Sequence, residues 1–78
     1  MSSIDYSIKA GLVLKKLIKE NYHSQEEFAE DIGYEIRTVS RYVNQGIKKL
    51  STAQDLAEFF GLDFISFLQI ETDEEVNG

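Results

Sequence analysis

The sequence predicts an all-α domain of five short helices, and three observations carry that prediction. Apolar residues recur with helical spacing near the start, where Ala10, Leu14, Leu17 and Ile18 fall at i, i+4, i+7 and i+8. Start and stop signals alternate along the rest, with Ser24, Ser51 and Asp63 as N-caps, Gly33, Gly46 and Gly61 as stops, and no proline anywhere. Between Gln25 and Asn44, small and apolar residues are spaced as two short helices meeting at a tight turn require.

The first helix is expected from about Ser7 to Asn21, behind an extension of residues 1–6, with its apolar stripe inward and Lys9, Lys16 and Glu20 in solvent. Ser24 caps the second helix, and Glu27 three residues later completes an S-x-x-E capping box. Its core residues are Phe28, Ala29 and Ile32. Ala29 is small because helices crossing steeply come close only where a side chain is missing. Gly33 supplies the turn, since glycine takes the left-handed backbone at little cost. Val39 and Tyr42, at i and i+3 of a third helix from about Ile36 to Asn44, then point back towards Phe28 and Ile32. Glu35 stands where that helix needs a cap, which makes its start weak, and Gly46 suits its stop.

Ser51 with Gln54 forms a further capping box, for a fourth helix that carries Leu56, Ala57 and Phe60 and ends at Gly61. Asp63 caps a short fifth helix, Phe64 to Ile70. Residues 71–78 hold four acids and one apolar residue, which reads as an acidic disordered tail. The single domain thus runs over 7–70, with its two-helix unit at about 24–45.

Composition narrows the function. A chain of 78 residues builds one small core. Without cysteine there is no disulfide framework, and with His23 as the one histidine there is no His/Cys metal cluster within a chain. No cofactor, metal or small-molecule ligand is expected. The start of the chain lacks a basic region followed by an apolar run, and no segment reaches the length of a membrane span, so a cytoplasmic protein without membrane contact is expected. No nucleophile, base and orienting group occur together, and the scattered carboxylates read as solvated faces, so the chain is not expected to be an enzyme.

The net charge of −6 is unevenly placed. All eight Lys and Arg lie between Lys9 and Lys49, where six acids accompany them, whereas residues 50–78 hold seven acids and no base. From Glu35 to Lys49 four bases face one acid, so the region around the third helix is basic and the far end acidic.

Three blocks in order, Gln25-Glu-Glu-Phe-Ala-Glu-Asp-Ile-Gly33, Thr38-Val-Ser-Arg-Tyr42 and Leu56-Ala-Glu-Phe-Phe-Gly-Leu62, resemble the phage repressor and Cro family of helix-turn-helix regulators, also called XRE-like. The resemblance covers roughly residues 8–68. It implies a compact five-helix, lambda-repressor-like domain that binds double-stranded DNA, with the third helix in the major groove. Arg37, Thr38 and Arg41, on the face opposite Val39 and Tyr42, would then contact bases, Arg reaching guanine and Thr a thymine methyl.

The resemblance also implies backbone contacts from Gln25 at the start of the second helix and from Lys48 and Lys49 in the loop after the third. Tyr34 follows the turn glycine, where packing is its main role and a hydroxyl near the DNA backbone its functional one. Asn44 and Gln45 would reach phosphate or a base edge. The chain carries one more residue between Tyr42 and Gly46 than the common family pattern. A second departure lies at Ile18 and Val43, where many relatives carry a buried Arg and Glu. Two apolar residues avoid the desolvation cost of such a pair.

The function implied is sequence-specific transcriptional regulation, as a dimeric repressor. Phe64, Ile65, Phe67 and Leu68 give the fifth helix more apolar surface than it can bury inward, and form the expected homodimer interface. The rival reading is an acidic protein-binding module of the same fold, antirepressor-like, that does not bind DNA. The net charge and the weak third-helix cap favour it; the basic residues gathered around the third helix oppose it.

Overall fold

The computed structural model describes residues 6–72. Among these the chain forms five helices, α1 (Tyr6–Asn21), α2 (Gln25–Ile32), α3 (Ile36–Gln45), α4 (Leu50–Phe59) and α5 (Phe64–Leu68), and no strand. Helix α1 exists because its apolar stripe finds a core: Ala10, Leu14 and Ile18 are buried, and Leu17 packs at the edge. Val13, which the simple stripe omits, is also fully buried. Helix α1 thus presents a broad apolar face to the rest of the domain.

Ser24 accepts a hydrogen bond from the Glu27 N–H at 3.1 Å, as a capping residue should. The reciprocal arm differs from the expected box. The Glu27 carboxylate accepts from the His23 N–H at 2.8 Å, one residue earlier than the cap itself. Ala29 is 3 % exposed, and its carbonyl accepts from both Gly33 and Tyr34, each at 2.9 Å, which closes α2 on the left-handed Gly33.

Helix α3 buries Val39 and Val43 and begins at Glu35, whose side chain caps nothing. It ends one residue later than expected, at Gln45, so the additional residue before Gly46 is taken up as helix. Gly46 then does more than stop the helix. Its φ of 97° and ψ of 169° are essentially glycine-only, and a Cβ there would lie 2.7 Å from the Ser7 carbonyl oxygen. The adjoining Ile47 N–H donates to that same carbonyl at 2.9 Å, with the Ile47 side chain fully buried. The start of α1 thereby anchors the α3–α4 loop.

Three boundaries correct the sequence expectations. Helix α4 starts at Leu50 with Lys49 at the N-cap, so Ser51 lies inside the helix and the Ser51–Gln54 box does not form. The Lys49 carbonyl already accepts from the Ala53 N–H at 3.1 Å, and the anchored loop delivers the chain to that point two residues early. Helix α5 ends at Leu68, short of Ile70, because the Ile70 N–H turns back to Phe67, a tighter i to i−3 bond, at 3.3 Å. Its cap is as expected: Asp63 accepts from the Ser66 N–H at 2.7 Å, and that bond holds the Asp63 carboxyl below its ordinary pKa.

The third boundary is at the tail. Thr72 is buried, and the Glu71 carbonyl accepts from the Lys16 ammonium at 2.7 Å, so the chain is still fastened to α1 there. Lys16 is consequently half-buried instead of lying on a solvated face. The rest of the expected tail, 73–78, and residues 1–5 of the extension lie outside the described residues.

The core gathers Leu14, Phe28, Val39, Leu56 and Phe67 with their smaller neighbours. Phe28 is its aromatic centre, stacked on Phe60 at 5.6 Å and edge-on to Tyr22 and Phe59. Ile18 and Val43 are both buried in the same cluster. Among the described residues no helix is long and apolar enough to cross a membrane.

Candidate nucleic-acid interface

Burying Val39 and Val43 on one side of α3 leaves Arg37, Arg41, Asn44 and Gln45 exposed on the other, with Thr38 half-buried beside them. Each outward side chain has its own local support. The Arg41 guanidinium lies over the Tyr42 ring, 5.7 Å from its centroid, a cation–π placement that holds the charge near the end of the helix. Tyr42 in turn meets Tyr34 edge to face at 6.2 Å, and its partly buried ring packs against the core. Burial pushes the Tyr34 phenol above its ordinary pKa, helped by Tyr42 and Asp55, so near neutral pH it remains a hydroxyl able to donate.

Arg37 lies one turn before Arg41, with its Nε 3.8 Å from the Glu35 carboxylate. Both side chains of that pair are more than three-quarters exposed, at 88 % and 79 %, and an ion pair so solvated is worth at most about 1 kcal/mol. The pair leaves Arg37 available to a stronger anion. Asn44 is turned along its own helix, donating from Nδ2 to Ser40 Oγ at 3.3 Å.

Beyond α3 the surface forms an open hollow of about 280 Å³ lined by Arg41, Tyr42, Gln45, Lys48, Lys49 and Thr52, with Gly46 at its base. The sequence nominated four of these, Arg41, Gln45, Lys48 and Lys49, and the fold brings them around one concavity. Three cationic side chains there, without an acid in the lining, suit a phosphate oxygen. Thr52, in the first turn of α4, was not anticipated, because nothing local in the sequence sets it beside Arg41.

Gln25 is not part of this hollow. It lines a separate depression of about 190 Å³ with Lys15, Lys19, Ile18 and Ser24, between α1 and the start of α2. Lys15 and Lys19 were missed, although their i, i+4 spacing on one helix was a readable sign. At the far end of the fold, Phe67 is fully buried and presents no surface to a partner, whereas Ile65 is 62 % exposed between half-buried Phe64 and Leu68. The surface expected of the four residues is carried by three.

No curated protein and no solved structure matches the chain. A family model described as helix-turn-helix matches residues 14–67, well over half of the 78. The match spans α2, the turn at Gly33, α3 with its outward arginines, and the hollow behind it. The chain therefore belongs to the XRE-like, Cro/C1-type family of helix-turn-helix DNA-binding transcription regulators.

Proposed function

We propose that the chain is a sequence-specific, dimeric repressor that occupies double-stranded operator DNA in the cytoplasm, without cofactor or small-molecule effector. The observation that carries this reading is the continuity between the exposed face of α3 and the cationic hollow at its end. Arg37, Thr38 and Arg41 read base edges in the major groove, and Gln45, Lys48 and Lys49 hold the flanking phosphates. Gln25, beside Lys15 and Lys19, holds the backbone from its separate depression. Asn44 and Tyr34 have supporting roles, one hydrogen-bonded along α3 and the other packed against Tyr42.

The dimer forms through Ile65 with the flanking Phe64 and Leu68. Fully burying an isoleucine side chain contributes roughly 1.5–3 kcal/mol, and a two-fold contact counts Ile65, Phe64 and Leu68 from both copies against the cost of association. Repression follows from a dimer covering a promoter.

The test is binding to random-sequence duplexes over a salt series, followed by selection and sequencing of the bound fraction. Affinity that falls steeply with salt, with a sequence preference of two related half-sites, is expected. A flat salt response would overturn the reading in favour of an acidic protein-binding module.

A further inference from the structure

We propose that Tyr6 is a positioning residue for DNA binding, its hydroxyl setting the backbone that carries Lys48 and Lys49 and its ring tying that backbone to α5. The inference rests on the DNA-binding reading and adds to it a residue 42 positions away in sequence from the phosphate-contact loop.

The Tyr6 hydroxyl donates to the Lys48 carbonyl at 3.1 Å. The next residue, Ser7, accepts from the Ile47 N–H at 2.9 Å and packs so closely on Gly46 that no Cβ fits between them. Three consecutive loop residues, 46 to 48, are therefore fixed by two consecutive residues at the start of α1. The second of these contacts is buried main chain and sets where the loop runs. Tyr6 is half-buried and makes the outermost contact, next to the solvent-facing lysines.

That outermost contact controls a peptide plane. In a trans peptide the C=O and the following N–H point in opposite directions. With the Lys48 carbonyl drawn towards Tyr6, the Lys49 N–H is turned the other way, and the two lysine side chains leave the loop from defined positions. Without the hydroxyl this plane can rotate, and every contact made by Lys48 and Lys49 must be paid for in lost freedom on binding. The Tyr6 ring is itself seated edge-on against Phe64 of α5, at 6.0 Å and an interplanar angle of 80°. One side chain thus spans α5 and the phosphate-contact loop.

Tyr6→Phe in the full chain removes the hydroxyl and keeps the ring against Phe64. The variant is expected to fold, to melt no more than several degrees below the wild type, and to keep its α2–α3 amide NMR resonances, with shifts confined to about residues 47–50. Its affinity should fall roughly three- to tenfold, the range for ordering a side-chain-bearing loop segment on binding. Selected and scrambled duplexes should lose alike, because backbone contacts carry no sequence information. Affinity within about twofold of wild type overturns the proposal, whatever the amides do. So does loss of folding, or a loss restricted to the selected sequence. A wild-type chain that fails to bind any duplex is a separate result, which overturns the DNA-binding reading and the role of Tyr6 with it.

Discussion

Gly11 faces the main-chain carbonyl of Tyr42 across a gap that excludes even a methyl group: a Cβ at Gly11 would lie 2.5 Å from that oxygen and 3.0 Å from the Gly46 Cα. Helix α1 and the end of α3 are thus in backbone contact. Alanine would improve the helix propensity of α1 by about 1 kcal/mol, but overpacking against backbone costs roughly 1–3 kcal/mol, and neither obstacle is a side chain that can swing away. Gly11→Ala should therefore destabilise the domain, by up to about 2 kcal/mol in urea unfolding. A stabilised variant would show that α3 slides readily on α1.

The Tyr22 hydroxyl donates to the Asp31 carboxylate at 2.5 Å, joining the chain just after α1 to the end of α2. That hydrogen bond above all, together with burial and the charges of Asp31 and Glu27, pushes the Tyr22 pKa up to about 12. A raised folded-state value means that the contribution to stability is complete below the unfolded tyrosine value of about 10 and is lost as pH rises through about 12. Unfolding measured between these limits should show a decline in stability that Tyr22→Phe removes. Phenolate absorbance in which Tyr22→Phe abolishes the latest-titrating tyrosine is the direct check.

On the proposed DNA face, Arg41→Ala and Lys48→Ala should fail in different ways. Arg41 projects from α3, and loss of a bidentate guanine contact costs roughly 1–3 kcal/mol and relaxes preference at one base pair per half-site. Lys48 projects from the loop, so its loss should weaken all sequences alike and lower the salt slope by about one. Both side chains are exposed, and both variants should fold normally.

At α5 the exposed and buried residues should separate association from folding. Ile65→Asp places a charge on a side chain 62 % exposed and should leave a folded monomer in sedimentation at concentrations where the wild type is dimeric. Phe67→Ala empties a fully buried site and should cost about 3–5 kcal/mol, a large part of the stability of so small a domain. A wild type that remains monomeric at high micromolar concentration would remove the dimer from the proposed function.

Features encoded by neighbours in sequence were legible in advance. Ser24 and Asp63 cap their helices as their spacing indicates, Ala29 and Gly33 shape the α2 end, and Glu35 leaves the α3 start without a side-chain bond. What could not be read depends on a partner far along the chain. Gly11 looks like a mid-helix weakness until Tyr42 is placed against it. Ser51 is a good cap on local grounds, but the Ser7 carbonyl holds Ile47 and the helix starts before Ser51 is reached. Acidity suggested a loose segment from residue 71, yet Lys16 retains Glu71 through a main-chain carbonyl, an interaction indifferent to side-chain charge. In the site itself, residue types on α3 identified the arginines, whereas the placing of Thr52 around one hollow with Arg41 required the path of the α3–α4 loop.

The division of α3 into a buried side and a solvated side also bears on how such a regulator diversifies. Val39 and Val43 hold the helix, while Arg37, Arg41 and Gln45 are exposed. Exchanges at those three positions are nearly neutral for folding and therefore accessible one at a time, without a compensating change elsewhere. On the proposed reading, Arg37 and Arg41 can then drift to new operators and Gln45 can adjust the grip on the backbone while the scaffold stays fixed, so descendants can differ in target and remain alike in shape.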